Sequence, residues 1–403
     1  MTQYIAKHNP DKCVQCGACG EIVDCPGAEK LICLGCGACV LACPHEALEL
    51  VEQTRMAEVC FEVDGKTARV PEQITVKDAL AELGHPVAIM PEEPGIFAPC
   101  EVGGCGSCAV QIDGEVKLAC RVEVKEGMQV KTELPADYVP TRIIEGFSGH
   151  QAGGVGTPAE VKGDKNFIEA VCFAAGCNFR CPQCQNWHVA YRGQGNALTP
   201  EQAAQSLTKV RSALSTNRLV ISGGECTLNR PWLVRFIKEL KTLNPDPEAR
   251  FHVDTNGSIL THSYIDELVE AGMTDIGIDL KALEISTFMQ ITGLNNQVIA
   301  ERYKETAWEA VRYVAQEYQG KVFVGVGIPY SRDMNSVTEI SQMGKRLLDI
   351  DSSIQVTALN YRPAFRKQVL LPSDAEMEGV RQVLNGIGLK KVLAQTTAGF
   401  VGP

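Results

Sequence analysis

The arrangement of apolar and polar positions changes near residue 165, and beyond it two kinds of segment alternate. Short apolar runs, typical of buried strands, are separated by longer stretches in which apolar residues recur at helical spacing. The runs predict six strands, at 168–173, 218–222, 250–254, 275–280, 321–326 and 354–359. Repeated strand–helix units indicate a parallel sheet, either open or curled toward a barrel. We expect residues 165–403 to form an α/β domain with a partial (β/α)6 barrel.

Residues that commonly cap helices lie between these runs. Ser, Thr or Asn at a helix start accepts a hydrogen bond from the first turn, and three such positions are Thr199, Asn229 and Ser373. Glycine often ends a helix, and Gly272 and Gly386 are at suitable positions. The segments between the predicted strands are therefore predicted to be helices.

Three different patterns precede this domain. Residues 1–54 are rich in Cys and Gly and contain an internal repeat. Residues 55–134 alternate apolar and polar positions, with Asp64-Gly65 and Asp113-Gly114 at two predicted hairpin turns. Residues 135–164 have many glycines and no sustained period, which predicts a Gly-rich linker or a long loop. The sequence thus predicts two small domains, a linker and a larger α/β domain.

Composition narrows the function. The formal charge of −11 over 403 residues disfavours nucleic acid as a partner. No apolar run reaches the roughly 18 residues of a membrane span, and residues 1–10 lack the apolar core of a signal peptide. We therefore expect a cytoplasmic protein with no membrane partner. All eighteen cysteines lie before residue 227, which in that compartment indicates metal or redox chemistry rather than disulfides.

Residues 1–54 carry one cysteine spacing twice. Three cysteines, each separated by two residues, are followed by a Cys-Pro pair. This run resembles bacterial ferredoxins, in which the fourth cysteine binds the cluster of the other repeat. The resemblance implies two [4Fe–4S] clusters, one held by Cys13, Cys16, Cys19 and Cys43 and the other by Cys33, Cys36, Cys39 and Cys25. Five residues rather than three separate Cys19 from Cys25, and a pair of zinc sites is the alternative.

A different cysteine spacing lies in residues 55–134. Four residues separate the first and second cysteines, two separate the second and third, and eleven separate the third and fourth; they are Cys100, Cys105, Cys108 and Cys120. This spacing matches plant-type [2Fe–2S] ferredoxins. The segment resembles the β-grasp domain of succinate dehydrogenase iron–sulfur subunits, which implies one [2Fe–2S] cluster. A zinc knuckle is the alternative.

A third cysteine group follows the first strand of the α/β domain and consists of Cys177, Cys181 and Cys184. Three thiolates leave one iron of a four-iron cluster open, as a catalytic metal site requires. Polar segments follow the next three strands, at the edge where α/β sheets place their sites. They contribute Gly223, Gly224, Glu225, Asp254, Asn256, Asp279 and Lys281.

This combination resembles the radical S-adenosylmethionine (SAM) superfamily. The resemblance implies that SAM chelates the open iron of a third [4Fe–4S] cluster and that one electron cleaves it to a 5′-deoxyadenosyl radical. It also implies that these seven residues bind SAM, with Asp254 near a cation.

The order of the motifs over residues 165–365, which ends in an Ile-Thr-Gly segment at 291–293, resembles the pyruvate formate-lyase activating enzyme group. Two positions depart from that group: Gln183 replaces an aromatic residue, and Arg362 replaces a histidine. The resemblance implies an anaerobic oxidoreductase that abstracts hydrogen from a glycyl-radical enzyme.

We therefore predict a radical SAM enzyme whose N-terminal clusters relay electrons from an external low-potential donor. No cysteine follows Cys226, which favours relay over substrate binding by the accessory clusters. One alternative is that the enzyme acts on a different protein or on a small molecule. The other is that the chain is an electron-transfer subunit of a larger oxidoreductase. Of the cysteines without a motif, Cys60 and Cys172 are predicted to be buried, whereas Cys226 is buried or lines the site.

Overall fold

A computed structural model describes residues 2–30, 32–55, 57–151, 153–162 and 167–403. The chain divides into two compact units, which are treated one at a time. The first contains residues 1–144, 174–178 and 186–199, and the second contains residues 145–173, 179–185 and 200–403. In the part of the chain that is described, no helix has the length and apolar character needed to cross a membrane.

The N-terminal third of the chain is built from short strands and three short helices. These are β1 (Thr2–His8), α1 (Ala18–Ile22), α2 (Ala38–Ala42), β2 (Leu48–Thr54), β3 (Glu58–Val63), β4 (Lys66–Pro71), α3 (Val76–Glu82), β5 (Val87–Ala88), β6 (Ile96–Phe97), β7 (Ala109–Ile112), β8 (Glu115–Leu118) and β9 (Gln129–Lys131).

Strands and longer helices alternate in the rest of the chain. These are β10 (Arg142–Gln151), α4 (Ala159–Lys162), β11 (Ile168–Ala174), α5 (Trp187–Ala190), β12 (Ala197–Leu198), α6 (Pro200–Leu214), β13 (Arg218–Gly223), α7 (Arg230–Leu243), β14 (Arg250–Thr255), α8 (His262–Ala271), β15 (Asp275–Asp279), α9 (Ile285–Thr292), α10 (Gln297–Glu317), β16 (Phe323–Tyr330), α11 (Val337–Ile350), β17 (Gln355–Asn360), α12 (Asp374–Ile387), β18 (Lys391–Thr396) and β19 (Gly399–Val401).

The cysteine repeat of the first unit is also a structural repeat. Strands β1 and β2 pair along their whole length as an antiparallel ribbon. Helices α1 and α2 each follow a glycine with positive φ, 76° at Gly17 and 74° at Gly37, and carry the third cysteine of their triplet. A left-handed backbone there is open to glycine at little cost. The two loops therefore turn in the same way around their cysteines.

A mixed five-stranded sheet follows in the same unit, in the order β4-β3-β9-β7-β8. Both predicted hairpins form, because Val63 pairs with Lys66 and Ile112 pairs with Glu115 across two-residue turns. Helix α3 covers the sheet, and its Leu80 packs in one buried cluster with residues of β3 and β7. This single helix over a mixed sheet is the arrangement that the resemblance to β-grasp domains predicts.

The second unit contains a largely parallel sheet. Its strands lie in the order β10-β11-β13-β14-β15-β16-β17-β18-β19, with β13 to β18 parallel and β19 antiparallel to β18. All six predicted strands are present. Strands β10, β18 and β19 were not predicted, and the sheet is open rather than a closed barrel among the described strands. Asn229 and Ser373 cap α7 and α12 as predicted, but α12 ends at Gly388 rather than at Gly386.

Part of the Gly-rich segment predicted as a linker forms a strand or is buried instead. Residues 142–151 form β10, and Val155, Gly156 and Thr157 are buried. A Cβ atom on Gly277 would lie 2.4 Å from the Gly156 nitrogen, and one on Gly325 would lie 2.2 Å from the Val155 oxygen. The glycines therefore permit close backbone packing rather than flexibility. The predicted boundary at residues 164 and 165 lies outside the described residues.

Charged side chains next to this segment form a buried network. Arg218 Nε lies 2.7 Å from Glu169 Oε1, and Arg218 Nη1 lies 3.1 Å from Asp275 Oδ1. Thr157 also donates a hydrogen bond to Glu169, at 3.0 Å. Arg218, Glu169 and Asp275 are each less than 5% exposed. Buried charges of this kind are tolerated because each has a charged or polar partner.

Replacing Arg218 by Met should lower the free energy of unfolding by about 3–5 kcal/mol, because Glu169 and Asp275 stay buried without that guanidinium. The control Arg312→Met breaks an exposed ion pair with Glu309 and should cost less than about 1 kcal/mol. The iron-loaded chain is unfolded with guanidinium chloride while circular dichroism is recorded. The shift of the unfolding midpoint measures the change in the free energy of unfolding. Similar losses in both variants would contradict the role given to the buried network.

Candidate functional site

The four cysteines of the mixed-sheet region are buried and fall into two pairs. Cys108 Sγ and Cys120 Sγ are 3.4 Å apart, and the thiols of Cys100 and Cys105 are hydrogen-bonded to each other. None of the four is more than 2% exposed. A two-iron cluster binds two thiolates on each iron, so two close pairs in one pocket fit a [2Fe–2S] cluster.

The backbone around Cys100 favours its thiolate form. The Cys105 thiol and the N–H groups of Cys105, Val102 and Gly103 stabilise the thiolate, and they lower the pKa of Cys100 to about 6 although burial acts in the opposite direction. Gly103 has a φ of 90°, which turns the loop around the sulfur. Iron ligands must be deprotonated, so this environment suits a cluster ligand.

The cysteine repeat brings one predicted ligand set together. Burial, followed by the charges of Cys36, Cys33 and Cys25, raises the pKa of Cys39 to about 12. Cys25 therefore lies beside the second triplet despite the longer spacing that precedes it. Backbone N–H groups also contact ligand sulfurs, with Ala6 N 3.3 Å from Cys33 Sγ and Ala47 N 3.3 Å from Cys43 Sγ. Such N–H···S contacts are typical of iron–sulfur sites.

No three His, Cys, Asp or Glu side chains within the described ranges are arranged as ligands of a single metal ion. An iron–sulfur cluster distributes its ligands over several irons, so this finding concerns mononuclear sites. The remaining predicted ligands, Cys13, Cys16 and Cys19, lie on the loop and helix of the first repeat. Their grouping with Cys43 stays a prediction.

The three-cysteine motif is divided between the two units, with Cys177 in the first and Cys181 and Cys184 in the second. In the second unit, neighbouring backbone fixes the loop of Cys181. Arg180 N donates to Thr292 O at 2.7 Å, and a Cβ atom on Gly293 would lie 2.2 Å from Arg180 O. The Ile-Thr-Gly segment noted in the sequence thus supports the cysteine loop.

A lysine–carboxylate pair lies beside Cys181 at the end of β15. Lys281 Nζ is 2.8 Å from Asp279 Oδ2. Burial disfavours the charged form of Lys281, but the Asp279 carboxylate outweighs it and raises the pKa of Lys281. Burial raises the pKa of Cys181, and the charge of Lys281 opposes that shift. The pair therefore gives this end of the sheet one firmly positive group close to a predicted cluster ligand.

Two buried oxygen atoms at this end have no hydrogen-bond partner among the described residues. They are Asp279 Oδ1 and Gln183 Oε1. Gln183 also donates from Nε2 to Met334 Sδ at 3.0 Å. Buried acceptors without partners are rare in folded proteins. Both oxygens fit a bound molecule with N–H or O–H donors, as SAM has. Gln183 was noted in the sequence as a departure from a motif, not as a site residue.

Glu225 joins two of the predicted SAM-binding segments. Its Oε1 accepts hydrogen bonds from Thr227 Oγ1 and Thr255 Oγ1, both at 2.6 Å, and its Oε2 accepts one from Asn256 N at 2.7 Å. Asn256 Oδ1 in turn accepts from Ser258 N at 3.0 Å. These side chains fix the loops after β13 and β14. Direct contacts of Gly223, Gly224, Glu225 and Asn256 with SAM stay predictions.

Asp254 faces the buried Gly-rich segment. Its Oδ1 lies 2.8 Å from His252 Nε2 and accepts a hydrogen bond from Gly156 N at 3.2 Å. Burial acts to raise the pKa of Asp254, but His252 and the Gly156 N–H outweigh it and lower it. Its proposed cation stays a prediction.

The cysteines without a motif differ in their burial. Cys226 is fully buried and donates to Asp254 O at 3.2 Å. Cys172 is buried, but Cys60 is only half-buried, so the prediction for Cys60 is wrong.

Comparison with sequence families identifies three regions. Residues 171–335 match the Radical SAM superfamily, residues 56–135 match a 2Fe-2S iron-sulfur cluster binding domain, and residues 30–49 match a 4Fe-4S binding domain. The chain therefore contains a radical SAM domain together with 2Fe–2S and 4Fe–4S binding domains. The number of clusters stays a prediction.

Curated relatives are similar over part of the chain. A GTP 3′,8-cyclase of Rhizobium meliloti (strain 1021) is 33% identical over 29% of this chain and 33% of its own length. A probable GTP 3′,8-cyclase of Saccharolobus solfataricus is 25% identical over 52% of this chain and 73% of its own. The chain spans about a third of the length of the first of these relatives. The resemblance to the pyruvate formate-lyase activating enzyme group is not confirmed by these matches.

Solved structures are also similar to part of the chain. A radical SAM methyltransferase from Sphaerobacter thermophilus has a TM-score of 0.44 and 18% identity, covering 57% of this chain and 67% of that protein. HydG, a maturase of the [FeFe]-hydrogenase, has a TM-score of 0.40 and 16% identity, covering 54% of this chain and 48% of that protein.

Reconstituted protein should contain about 14 iron atoms per chain if all four predicted clusters are present. Cys181→Ala should lose about four of them and the spectrum of the site-differentiated [4Fe–4S] cluster, while the [2Fe–2S] spectrum stays unchanged. Cys60→Ala, which removes a cysteine without a ligand role, is the matched control and should keep all the iron. Iron and sulfide analysis with electron paramagnetic resonance (EPR) checks this. Zinc in place of iron, or unchanged iron in Cys181→Ala, would contradict the ligand assignment.

Proposed function

We propose that the protein reductively cleaves SAM and that the resulting 5′-deoxyadenosyl radical abstracts hydrogen from a substrate. The observation that carries this proposal is the Lys281–Asp279 pair beside Cys181, within the region that matches the radical SAM superfamily. The adjoining iron–sulfur domains favour delivery of the required electron within the same chain. An enzyme is therefore favoured over an electron-transfer subunit.

The chain's own residues would hold the reactants in place. Cys177, Cys181 and Cys184 would bind the cluster, which supplies, when bound, the electron that breaks a carbon–sulfur bond of SAM. Lys281 carries a proton at Nζ that neutralises Asp279 and can face a carboxylate of a bound molecule. Asp279 Oδ1 can accept a hydrogen bond from an amino or hydroxyl group. Glu225 holds the loops after β13 and β14 together through its hydrogen bonds.

The identity of the substrate is a separate proposal, for which there are two candidates. The order of the sequence motifs favours a glycine in a glycyl-radical enzyme, from which a backbone hydrogen would be removed. The names of the curated relatives favour GTP instead. Both reactions begin with the same SAM cleavage, so the catalytic proposal does not depend on the choice.

Lys281→Met should slow formation of 5′-deoxyadenosine from SAM and dithionite by roughly 10- to 100-fold, the scale of a lost hydrogen bond to a charged group. Lys345→Met, which removes an exposed lysine on α11, is the control and should leave the rate unchanged. The measurement is anaerobic product analysis by liquid chromatography. If the wild-type chain with all its iron forms no 5′-deoxyadenosine, the proposed enzyme activity is wrong.

Adding GTP separates the two substrate candidates. If the chain acts on a glycyl-radical enzyme, GTP should be neither consumed nor able to raise the yield of 5′-deoxyadenosine. An EPR doublet should instead appear in the partner protein and collapse to a singlet when its glycine is α-deuterated, because the α-hydrogen causes the splitting. Stoichiometric loss of GTP with 5′-deoxyadenosine formation would overturn the glycyl-radical candidate and support the nucleotide.

A further inference from the structure

Arg121 links two predicted cluster sites within the first unit. It directly follows Cys120, a predicted [2Fe–2S] ligand, and its Nη1 lies 3.9 Å from Sγ of Cys36, a predicted [4Fe–4S] ligand. The side chain is 8% exposed. A guanidinium is a compact, permanently charged donor of several N–H groups and can contact two acceptors at once.

Two donors of this guanidinium are buried without a hydrogen-bond partner among the described residues, namely Nε and Nη2 of Arg121. The carboxylate of Asp24 is 3.8 Å from Nη2, and its side chain is 64% exposed. Buried donors need acceptors, and the sulfurs of the two clusters fit that need. A Cβ atom on Gly103 would lie 2.8 Å from Arg121 Cδ. Glycine in the [2Fe–2S] loop therefore lets the arginine pass close to it.

The [2Fe–2S] loop also contacts Gly176, the residue before Cys177. Gly176 has a φ of 88°, and a Cβ atom there would lie 3.0 Å from both Cys100 Cβ and Cys105 N. The contact is held by hydrogen bonds from Ala175 N to Ile143 O at 3.0 Å and from Ile143 N to Gly104 O at 3.1 Å. One peptide unit therefore separates two [2Fe–2S] ligands from a predicted ligand of the catalytic cluster.

Exposure of the cysteines gives the path a direction. Among the [4Fe–4S] cysteines, Cys16, Cys19 and Cys25 are exposed, the second triplet is half-buried and Cys43 is buried, whereas all four [2Fe–2S] cysteines are buried. A protein donor can approach the exposed end. Electron tunnelling weakens steeply with distance, so short contacts between ligands favour transfer from one cluster to the next.

We propose that electrons pass from the ferredoxin-like clusters through the [2Fe–2S] cluster to Cys177, with Arg121 as the positioning residue between the first two. This order of electron transfer rests on the proposed function, because the last step requires a catalytic cluster at Cys177. A reduced low-potential protein carrier would give up one electron at the surface, and the clusters held by these cysteines would pass it on and return to their starting oxidation states. The electron would reduce the sulfonium of SAM: its carbon–sulfur bond breaks, methionine leaves as the thioether, and the 5′-deoxyadenosyl radical takes a hydrogen atom from the substrate.

Arg121→Met should slow SAM cleavage by roughly tenfold or more when a reduced 2[4Fe–4S] ferredoxin is the donor, the scale seen when a contact around a metal site is lost. The rate with excess dithionite, a small reductant that can reach the catalytic cluster directly, should change little. Arg121→Lys, which keeps the charge, should recover part of the ferredoxin-driven rate. Arg69→Met, which removes an exposed arginine on β4, is the control.

A second readout does not depend on turnover. In an EPR-monitored redox titration, Arg121→Met should shift the reduction potential of the [2Fe–2S] cluster to a more negative value, because a positive charge and N–H donors are removed. Iron and sulfide content should stay at the wild-type level. An unshifted potential together with an unchanged ferredoxin-driven rate would overturn the proposed role of Arg121. No cleavage with either donor in the wild-type chain would instead contradict the proposed function.

Gly176→Ala tests the last contact of the path. The added methyl group must displace the Cys100–Cys105 loop, and the positive φ is unfavourable for alanine. Ferredoxin should still reduce the [2Fe–2S] cluster at the wild-type rate, but SAM cleavage by that route should slow by several-fold. Gly379→Ala, with open space around the glycine, is the matched control. Slower cleavage with dithionite to the same extent would show damage to the catalytic cluster, and an unchanged ferredoxin-driven rate would exclude the path.

Discussion

Close backbone packing at glycine residues is the constraint on which both units depend. In the first unit, a Cβ atom on Gly104 would lie 2.3 Å from Arg192 O, so the [2Fe–2S] loop could not approach its neighbour with any other residue there. In the second unit, a Cβ atom on Gly277 would lie 2.0 Å from Asp254 Oδ1. Because glycine has no Cβ, these backbone segments pack closely enough for buried polar groups to contact one another. The sites are built on those contacts.

The sequence predicted the local elements well because their signals are local. The Asp-Gly turns, the caps at Asn229 and Ser373 and the six apolar strands follow from adjacent residues. The prediction of a linker was wrong for residues 153–162, because a glycine-rich segment has the same composition whether it is flexible or tightly packed. The partners that decide between the two, such as Gln355, lie far away in sequence. Strand β18 was also missed, because its own residues showed no clear alternation of apolar and polar positions.

Some of the predicted site residues hold neighbouring loops in place, whereas others are candidates for direct contact with SAM. The Glu225 side chain is occupied by hydrogen bonds across two loops, and Asp254 is held by His252 and Gly156. Asp279 and Gln183 instead retain buried oxygens without partners in the part of the chain that is described. Motif matching treats all such positions alike, since it does not include the network around them. The contact between Gly176 and the [2Fe–2S] loop also had no sequence signal, because the two segments are about 70 residues apart in a chain of 403.

As proposed, the [2Fe–2S] cluster is an intermediate in the delivery of one electron to SAM. The decisive measurement reduces the chain stoichiometrically, removes the reductant, and follows the [2Fe–2S] EPR signal by rapid freezing after SAM is added. With the [2Fe–2S] cluster as an intermediate, its signal should decay at the rate at which 5′-deoxyadenosine forms, with no more than one electron consumed per product. Formation of 5′-deoxyadenosine while the [2Fe–2S] cluster stays fully reduced and the other clusters are oxidised would contradict it.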